Sequence, residues 1–219
     1  MKKLPWITLL SLSAALAFGA GNAHADWSKF GFRCVRSSSL GRSCVAPDGR
    51  IWSAALGDGN DRLYTNGNPL GAKDTYGYRK YLVVGLDGKR RTNVQGDGYD
   101  YVHPRDSDAS VACTHLSTKA GINLLLPSRK DYLQLIQWFD HTGTVTYDSK
   151  GLIVEDDLRL TSRGLENMYQ VFPDMRNNWF WTASVDPGLS NSAFEFAGLT
   201  GDVSVDYRHI AKSVRCVSR

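Results

Sequence analysis

Four cysteines, Cys34, Cys44, Cys113 and Cys216, constrain this chain more than any other feature. What they can do depends on the compartment, and the N-terminus points to one. Met1-Lys2-Lys3 is a short basic start, Ile7 to Ala20 is an apolar run, and Ala23-His24-Ala25 has the small-x-small form of a cleavage site. This is the pattern of an export signal over residues 1–25, with a mature chain from Asp26 that keeps no membrane span. No cysteine follows the apolar run at the cleavage point, which argues against a lipid anchor. The expected location is the periplasm, or the cell surface and medium beyond it.

In an exported chain an even number of cysteines reads as a disulfide framework. Three pairings are possible. The favoured one joins Cys34 to Cys44 across what looks like a hairpin end, and Cys113 to Cys216, tying a helix to the last strand. Zinc would want a C-x-x-C pair, and none is present.

The stretch from Asn123 to Ile136 organises the second half. An apolar segment stops at Pro127, Ser128 can cap a helix, and Asp131 stands at the third position, where a carboxylate can answer the cap. Tyr132, Leu135, Ile136 and Phe139 then share one helical face, so a helix is expected from Ser128 to about Asp140. An earlier helix is expected after Ser107 or Asp108, with Ala109, Ala112, Cys113, Leu116 and Ala120 as its stripe and Gly121 as its stop. Cys113 faces the core, and His115 lies off the stripe as an exposed polar residue.

The remainder reads as strands. Phe30–Val35 and Ser43–Ala46 form a hairpin, Asp48-Gly49 turns the chain into Ile51–Ala54, and Lys80–Val84 pairs with Lys89–Val94 through Asp87-Gly88. After the second helix, Thr144–Tyr147, Leu152–Val154, Trp179–Ser184, Ala193–Phe196, Val203–Tyr207 and Ser213–Val217 follow at short spacing. The last four argue for one antiparallel sheet. The fold class is therefore α+β: two helices on antiparallel sheet, with long loops and two disulfides. Residues 26–219 read as a single exported domain, with hairpins and a long Gly/Asp/Asn-rich loop over 26–108 and the core over 109–219.

Charge excludes one class of partner. Removing Lys2 and Lys3 from 26 basic residues leaves 24 against 22 acidic, a net charge of +2. That is too small to argue for nucleic acid or a membrane surface. Lys89-Arg90-Arg91 reads as a solvated strand edge rather than an anion patch. Asp58, Asn60, Asp61, Asp97 and Asp100 read as turn residues, since they do not match the spacing of a calcium loop. Only three glutamates occur, Glu155, Glu166 and Glu195, and Asp supplies the rest of the acid, as suits turns.

No G-x-S-x-G, H-E-x-x-H or phosphate loop is present. His103, His115, His141 and His209 show no metal-ligand spacing. No catalytic residue, metal site or cofactor is assigned from the sequence.

Several motifs in order resemble a known family. Ala109 and Cys113 lie in a helix. Leu126-Pro127-Ser128 follows with Asp131 and Tyr132, then Phe180-Trp181-Thr182-Ala183-Ser184, then Val214-Arg215-Cys216-Val217. This run resembles the Lcl C-terminal-like domain family, named for the C-terminal domain of a collagen-like bacterial adhesin. Its members carry Trp-Arg-Leu-Pro-Thr, Tyr-Trp-Ser-Ser and Val-Arg-Cys-Val-Arg in that order. Asp48-Gly49-Arg50-Ile51-Trp52 resembles the Thr-Gly-Leu-Met-Trp that opens such domains. The resemblance covers about half the chain, from Ala109 to Val217. Leu124 and Leu125 stand where the family has Trp and Arg, and residues from about Asp58 to Pro104 have no counterpart. The resemblance implies a C-type-lectin-like α+β fold with the first and last domain cysteines paired, and extracellular binding of a sulfated glycan. The calcium-lectin signatures Glu-Pro-Asn and Trp-Asn-Asp are absent.

Two functions of different class follow. The first is a non-enzymatic binding module that contacts a glycan or a cell-surface partner. Its candidate contacts are Trp179 and Trp181, with Arg176, Asn177 and Asn178 beside them and Arg208 and Lys212 for anions. At least one of the two tryptophans packs into the core. The second is an exported enzyme or enzyme subunit on a lectin-like scaffold. An exposed acidic pair in a deep cleft would mark the enzyme, and a shallow face with aromatic and basic residues the binder. A structural role in the cell envelope is the blander alternative.

Overall fold

The computed structural model describes residues 26–27, 30–37, 40–56, 83–84, 90–91, 108–189, 192–207 and 212–219. The export signal, most of the loop at 58–104 with its acidic residues, His103, His209 and Arg208 lie outside them. So do the side chains of Arg90 and Arg91.

Four strands open the chain: β1 (Asp26–Trp27), β2 (Arg33–Ser37), β3 (Gly41–Val45) and β4 (Ile51–Trp52). A short pair follows, β5 (Val83–Val84) with β6 (Arg90–Arg91). Then come α1 (Asp108–Ala120), β7 (Leu124–Leu125) and α2 (Arg129–Gln137). Strands β8 (His141–Thr142), β9 (Val145–Tyr147), β10 (Ile153–Asp156) and β11 (Arg159–Leu160) lead to α3 (Ser162–Val171). Strands β12 (Trp179–Val185), β13 (Ser192–Ala197), β14 (Asp202–Tyr207) and β15 (Val217–Ser218) complete the chain. The class is α+β with antiparallel sheets. One sheet runs β1-β2-β3-β4-β15-β7 and another β12-β13-β14-β11-β8.

Helix α2 forms as its sequence predicts. Ser128 is extended, its side chain accepts from the Asp131 backbone, and the Asp131 carboxylate answers the Ser128 backbone. The helix ends at Gln137 rather than near Asp140. Tyr132, Leu135 and Ile136 are fully buried and Phe139 nearly so. Tyr132 stacks on Phe196 of β13 with ring centres 4.8 Å apart, which seats α2 on the second sheet. In α1, Ala109, Ala112, Cys113 and Leu116 are buried, and Gly121 stops the helix with φ of +69°. His115 is half-buried rather than exposed.

The sequence predicts two helices, and the structure has a third, α3. Thr161 caps it by accepting from the Gly164 backbone at 3.0 Å. Gly164, Met168 and Val171 form its buried stripe. Gly164 is required by contact, since a Cβ there would lie 1.9 Å from the Asp140 carbonyl oxygen. Pro173 lies beyond the helix end, and the chain turns through a 3-10 segment, Pro173–Met175.

The last strand also departs from expectation. β15 leaves β12–β14 and pairs instead with β4 and β7, through Val217 with Trp52 and with Leu125. Both disulfides form in the favoured pairing, Cys34–Cys44 and Cys113–Cys216. Each pins one of two cores. The first gathers Phe32, Trp52, Tyr132, Phe172, Phe180 and Phe196. The second gathers Leu116, Leu124, Trp181 and Val214 beside α1. β12 feeds both, because successive strand side chains point to opposite faces: Phe180 enters the first core and Trp181 the second.

Candidate functional site

The turn that carries the chain from α3 into β12 is held from beneath. Arg215 is fully buried. Its guanidinium stacks on Phe172, with its carbon 4.8 Å from the ring centre, and donates to the Ser53 carbonyl and the Asp174 carboxylate. The other Asp174 oxygen accepts the Ala55 backbone N–H at 2.7 Å. Asn178 donates its side-chain amide to the Asp174 carbonyl at 2.8 Å, and its own carbonyl accepts from Gly198 at 2.8 Å. Gly198 sits so tightly that a Cβ would fall 2.0 Å from the Met175 carbonyl. The turn is thereby clamped between the core and the β13–β14 connection.

Outward-facing groups stand on that clamped base. Trp179 is 41% exposed at the start of β12, and Leu199 is 48% exposed in the neighbouring turn. Asn177 is exposed and holds a left-handed backbone, φ 62°, which asparagine tolerates better than most residues. Arg176 is exposed and lies over the ring of Tyr169, 4.6 Å from its centre. The Tyr169 hydroxyl donates to the Gly198 carbonyl at 2.8 Å. Burial raises the Tyr169 pKa, and Glu166 adds to the rise against the opposing charge of Arg176. Glu166 also pairs with Arg176 at 3.4 Å, both side chains well exposed. Such a pair is worth little and leaves the guanidinium free to exchange partners. The corner therefore offers an aromatic face, an apolar neighbour, an exposed cation and an amide. That set can stack on the apolar face of a sugar and hydrogen-bond its rim.

The predicted contacts divide. Trp179, Arg176, Asn177 and Asn178 come together at this corner, with Asn178 half-buried and engaged in the clamp. Trp181 is fully buried, which removes its ring from any contact surface. Lys212 is 8% exposed and bridges Glu195 and Asp206, so it is an internal ion and not a surface anion contact. Arg208 lies outside the described residues. Tyr169, Leu199 and Glu166 join the corner without any sequence signal, because only the folded chain brings α3 and the β13–β14 turn beside β12.

Away from this corner, a concavity of about 290 Å³ is lined by Asp156, Asp157, Asp202, Arg159 and Thr142 among others. Each of its carboxylates accepts a hydrogen bond from the protein. Asp156 accepts from Arg129 Nε at 2.8 Å, Asp157 from the Thr144 backbone at 2.6 Å, and Asp202 from the Thr200 hydroxyl. Among the described residues no group of three or more His, Cys, Asp or Glu is placed to hold a metal ion. Among the same residues no helix is long and apolar enough to cross a membrane. The two disulfides suit an oxidising, exported environment.

No family model matches this chain, and no curated protein or solved structure is significantly similar to it. The resemblance to the Lcl C-terminal-like domains rests on the order of the sequence motifs.

Proposed function

We propose that this protein is an exported, non-enzymatic binding module that takes a glycan, or a cell-surface partner bearing one, at the Trp179 corner. The observation that carries this reading is the exposed Trp179 ring on a turn braced by the buried Arg215. A rigid aromatic platform loses little entropy on binding and suits the flat face of a sugar. Arg176 and Asn177 supply the polar rim. The family resemblance adds adhesin-like recognition of acidic glycans and a C-type-lectin-like arrangement. The latter has the support of motif order and of the first strands meeting the last in one sheet, Trp52 with Val217.

The test is a glycan array probed with the oxidised exported protein at two salt concentrations. Salt-sensitive capture of sulfated or carboxylated glycans, lost in Arg176→Ala, supports the acidic class. Salt-insensitive capture of neutral sugars, reduced at least tenfold in Trp179→Ala, supports stacking alone. A blank array overturns glycan binding and leaves a protein partner as the ligand to seek.

The aspartate-lined concavity favours a second reading, an exported hydrolase. Turnover of any bound glycan, abolished in Asp157→Asn and Asp202→Asn with binding retained, would establish it.

A further inference from the structure

The ion cluster beside Trp181 holds chemistry that the binding corner does not use. Ser204 pairs with Glu195 and Asp206 with Ala193, so Glu195 on β13 and Asp206 on β14 project from one face of the sheet. Lys212 reaches over that face. Its Nζ lies 2.5 Å from Glu195 Oε2 and 2.6 Å from Asp206 Oδ2, with the Trp181 ring centre 5.3 Å away. The side chains of Lys212 and Glu195 are each 7% exposed, and that of Asp206 is 25% exposed. Glu195 Oε1 accepts from the Ser204 hydroxyl at 3.1 Å. Glu195 Oε2 touches Nζ and has no other partner among the described residues.

This is an unbalanced cluster, two carboxylates on one ammonium, largely withdrawn from water. Burying each ion is costly, and attraction recovers that cost only with excellent geometry. Joining two of the three as a neutral amide removes that cost and leaves Glu195 as the single charge.

We propose that Lys212 and Asp206 become joined by an intramolecular isopeptide bond, with Glu195 carrying the proton. The ammonium gives a proton to Glu195, and the freed Nζ pair attacks Asp206 Cγ. Glu195 returns that proton to a carboxylate oxygen. That oxygen takes a second proton from the former amine and leaves as water. One N–C bond forms, one C–O bond breaks, and no oxidant or reductant enters. Fixing the amine against the carboxylate supplies the high effective concentration such a step needs. Poor access for water disfavours the reverse hydrolysis. The bond would staple the end of β14 to the segment that runs into Cys216, independently of what the Trp179 corner binds.

Intact mass spectrometry of the purified, disulfide-reduced protein tests this. The wild type should weigh one water less than its sequence. Trypsin cuts after Arg208, between the two residues, so the peptide bearing Asp206 should be recovered joined to the one bearing Lys212. Lys212→Arg and Glu195→Gln, both near-isosteric, should show the full mass and no joined peptide. A wild type of full mass, or a lost water that maps elsewhere, overturns the proposal whatever the variants do. A joined peptide as abundant in Glu195→Gln as in the wild type overturns the role given to Glu195.

Discussion

Asp131→Ala probes the junction at which α2 meets β4 and β15, adjacent strands of the first sheet. Asp131 is 4% exposed. Its carboxylate accepts from the Ser128 backbone at 2.6 Å and the Ser128 hydroxyl at 2.7 Å. It also pairs with Arg50, next to β4, and with Arg219, next to β15, the latter at 2.5 Å. Loss of the cap interaction costs about 1 kcal/mol. Leaving the half-buried Ser128 donors unpaired adds about 1 kcal/mol. The two arginines are partly exposed, so their pairs contribute only about 0.5 kcal/mol each. The expected loss is thus about 3 kcal/mol at neutral pH, or about 6–12 °C in Tm for a chain of this size. The loss should also depend on pH. Burial pushes the Asp131 pKa up, but hydrogen bonds from the Ser128 hydroxyl and backbone, with the Arg219 charge, push it down further, to below its usual 3.8. A depressed pKa means that the stability is present above the unfolded value and is lost as pH falls through the folded one. Urea unfolding at pH 7 should therefore show the full deficit, and at pH 3 and below a progressively smaller one. A deficit under about 1 kcal/mol at pH 7, or one equal at both pH values, would refute the junction as described.

The other predictions concern the two cores and their pins. Trp181→Ala should cost about 3–5 kcal/mol as a fully buried ring is removed, while Trp179→Ala should change stability by less than about 1 kcal/mol and act on binding instead; paired thermal melts and array binding separate them. Gly164→Ala should destabilise by about 1–3 kcal/mol or prevent folding, because its Cβ meets the Asp140 carbonyl, and a calorimetric scan that matches the wild type would contradict that contact. Replacing Cys113 and Cys216 with Ala should cost about 4.7 kcal/mol and replacing Cys34 and Cys44 about 2.7 kcal/mol on the loop-entropy model, since the pairs span 103 and 10 residues. Denaturant midpoints in the reverse order would point to strain or residual unfolded structure rather than loop length.

Local chemistry decided which parts of the fold could be read. The α2 cap and stripe lie within twelve residues, Ser128 to Phe139, and the hairpin β2–β3 with its turn within thirteen, Arg33 to Val45. Helix α3 hides behind Gly164, a poor helix former, which stands there because the Asp140 backbone leaves no room for a side chain. Nothing near Gly164 in sequence announces that constraint. The sheet position of β15 is similarly non-local. Val217 is strand-like wherever it sits, and only its partners Trp52 and Leu125, far back in the chain, draw it out of the β12–β14 sheet.

The site shows the same division more sharply. Trp179 and Trp181 lie two apart on one strand, so strand period assigns them to the same face and cannot separate them. Their fates differ by position along the strand. Trp179 pairs with Ala197 at the turn, while Trp181 lies further in, within the core beside α1 and under Lys212. Lys212 looked like a surface cation because its carboxylate partners are on two other strands. Arg215 is the instructive case. It belongs to the Val214-Arg215-Cys216-Val217 motif, and its guanidinium is a buried brace that reaches through Asp174 to the turn beneath Trp179. A residue with this role holds a scaffold in place and is silent on what the scaffold presents. On the binding-module proposal, ligand specificity is therefore to be sought at Arg176, Asn177, Trp179 and Leu199, outside the motif.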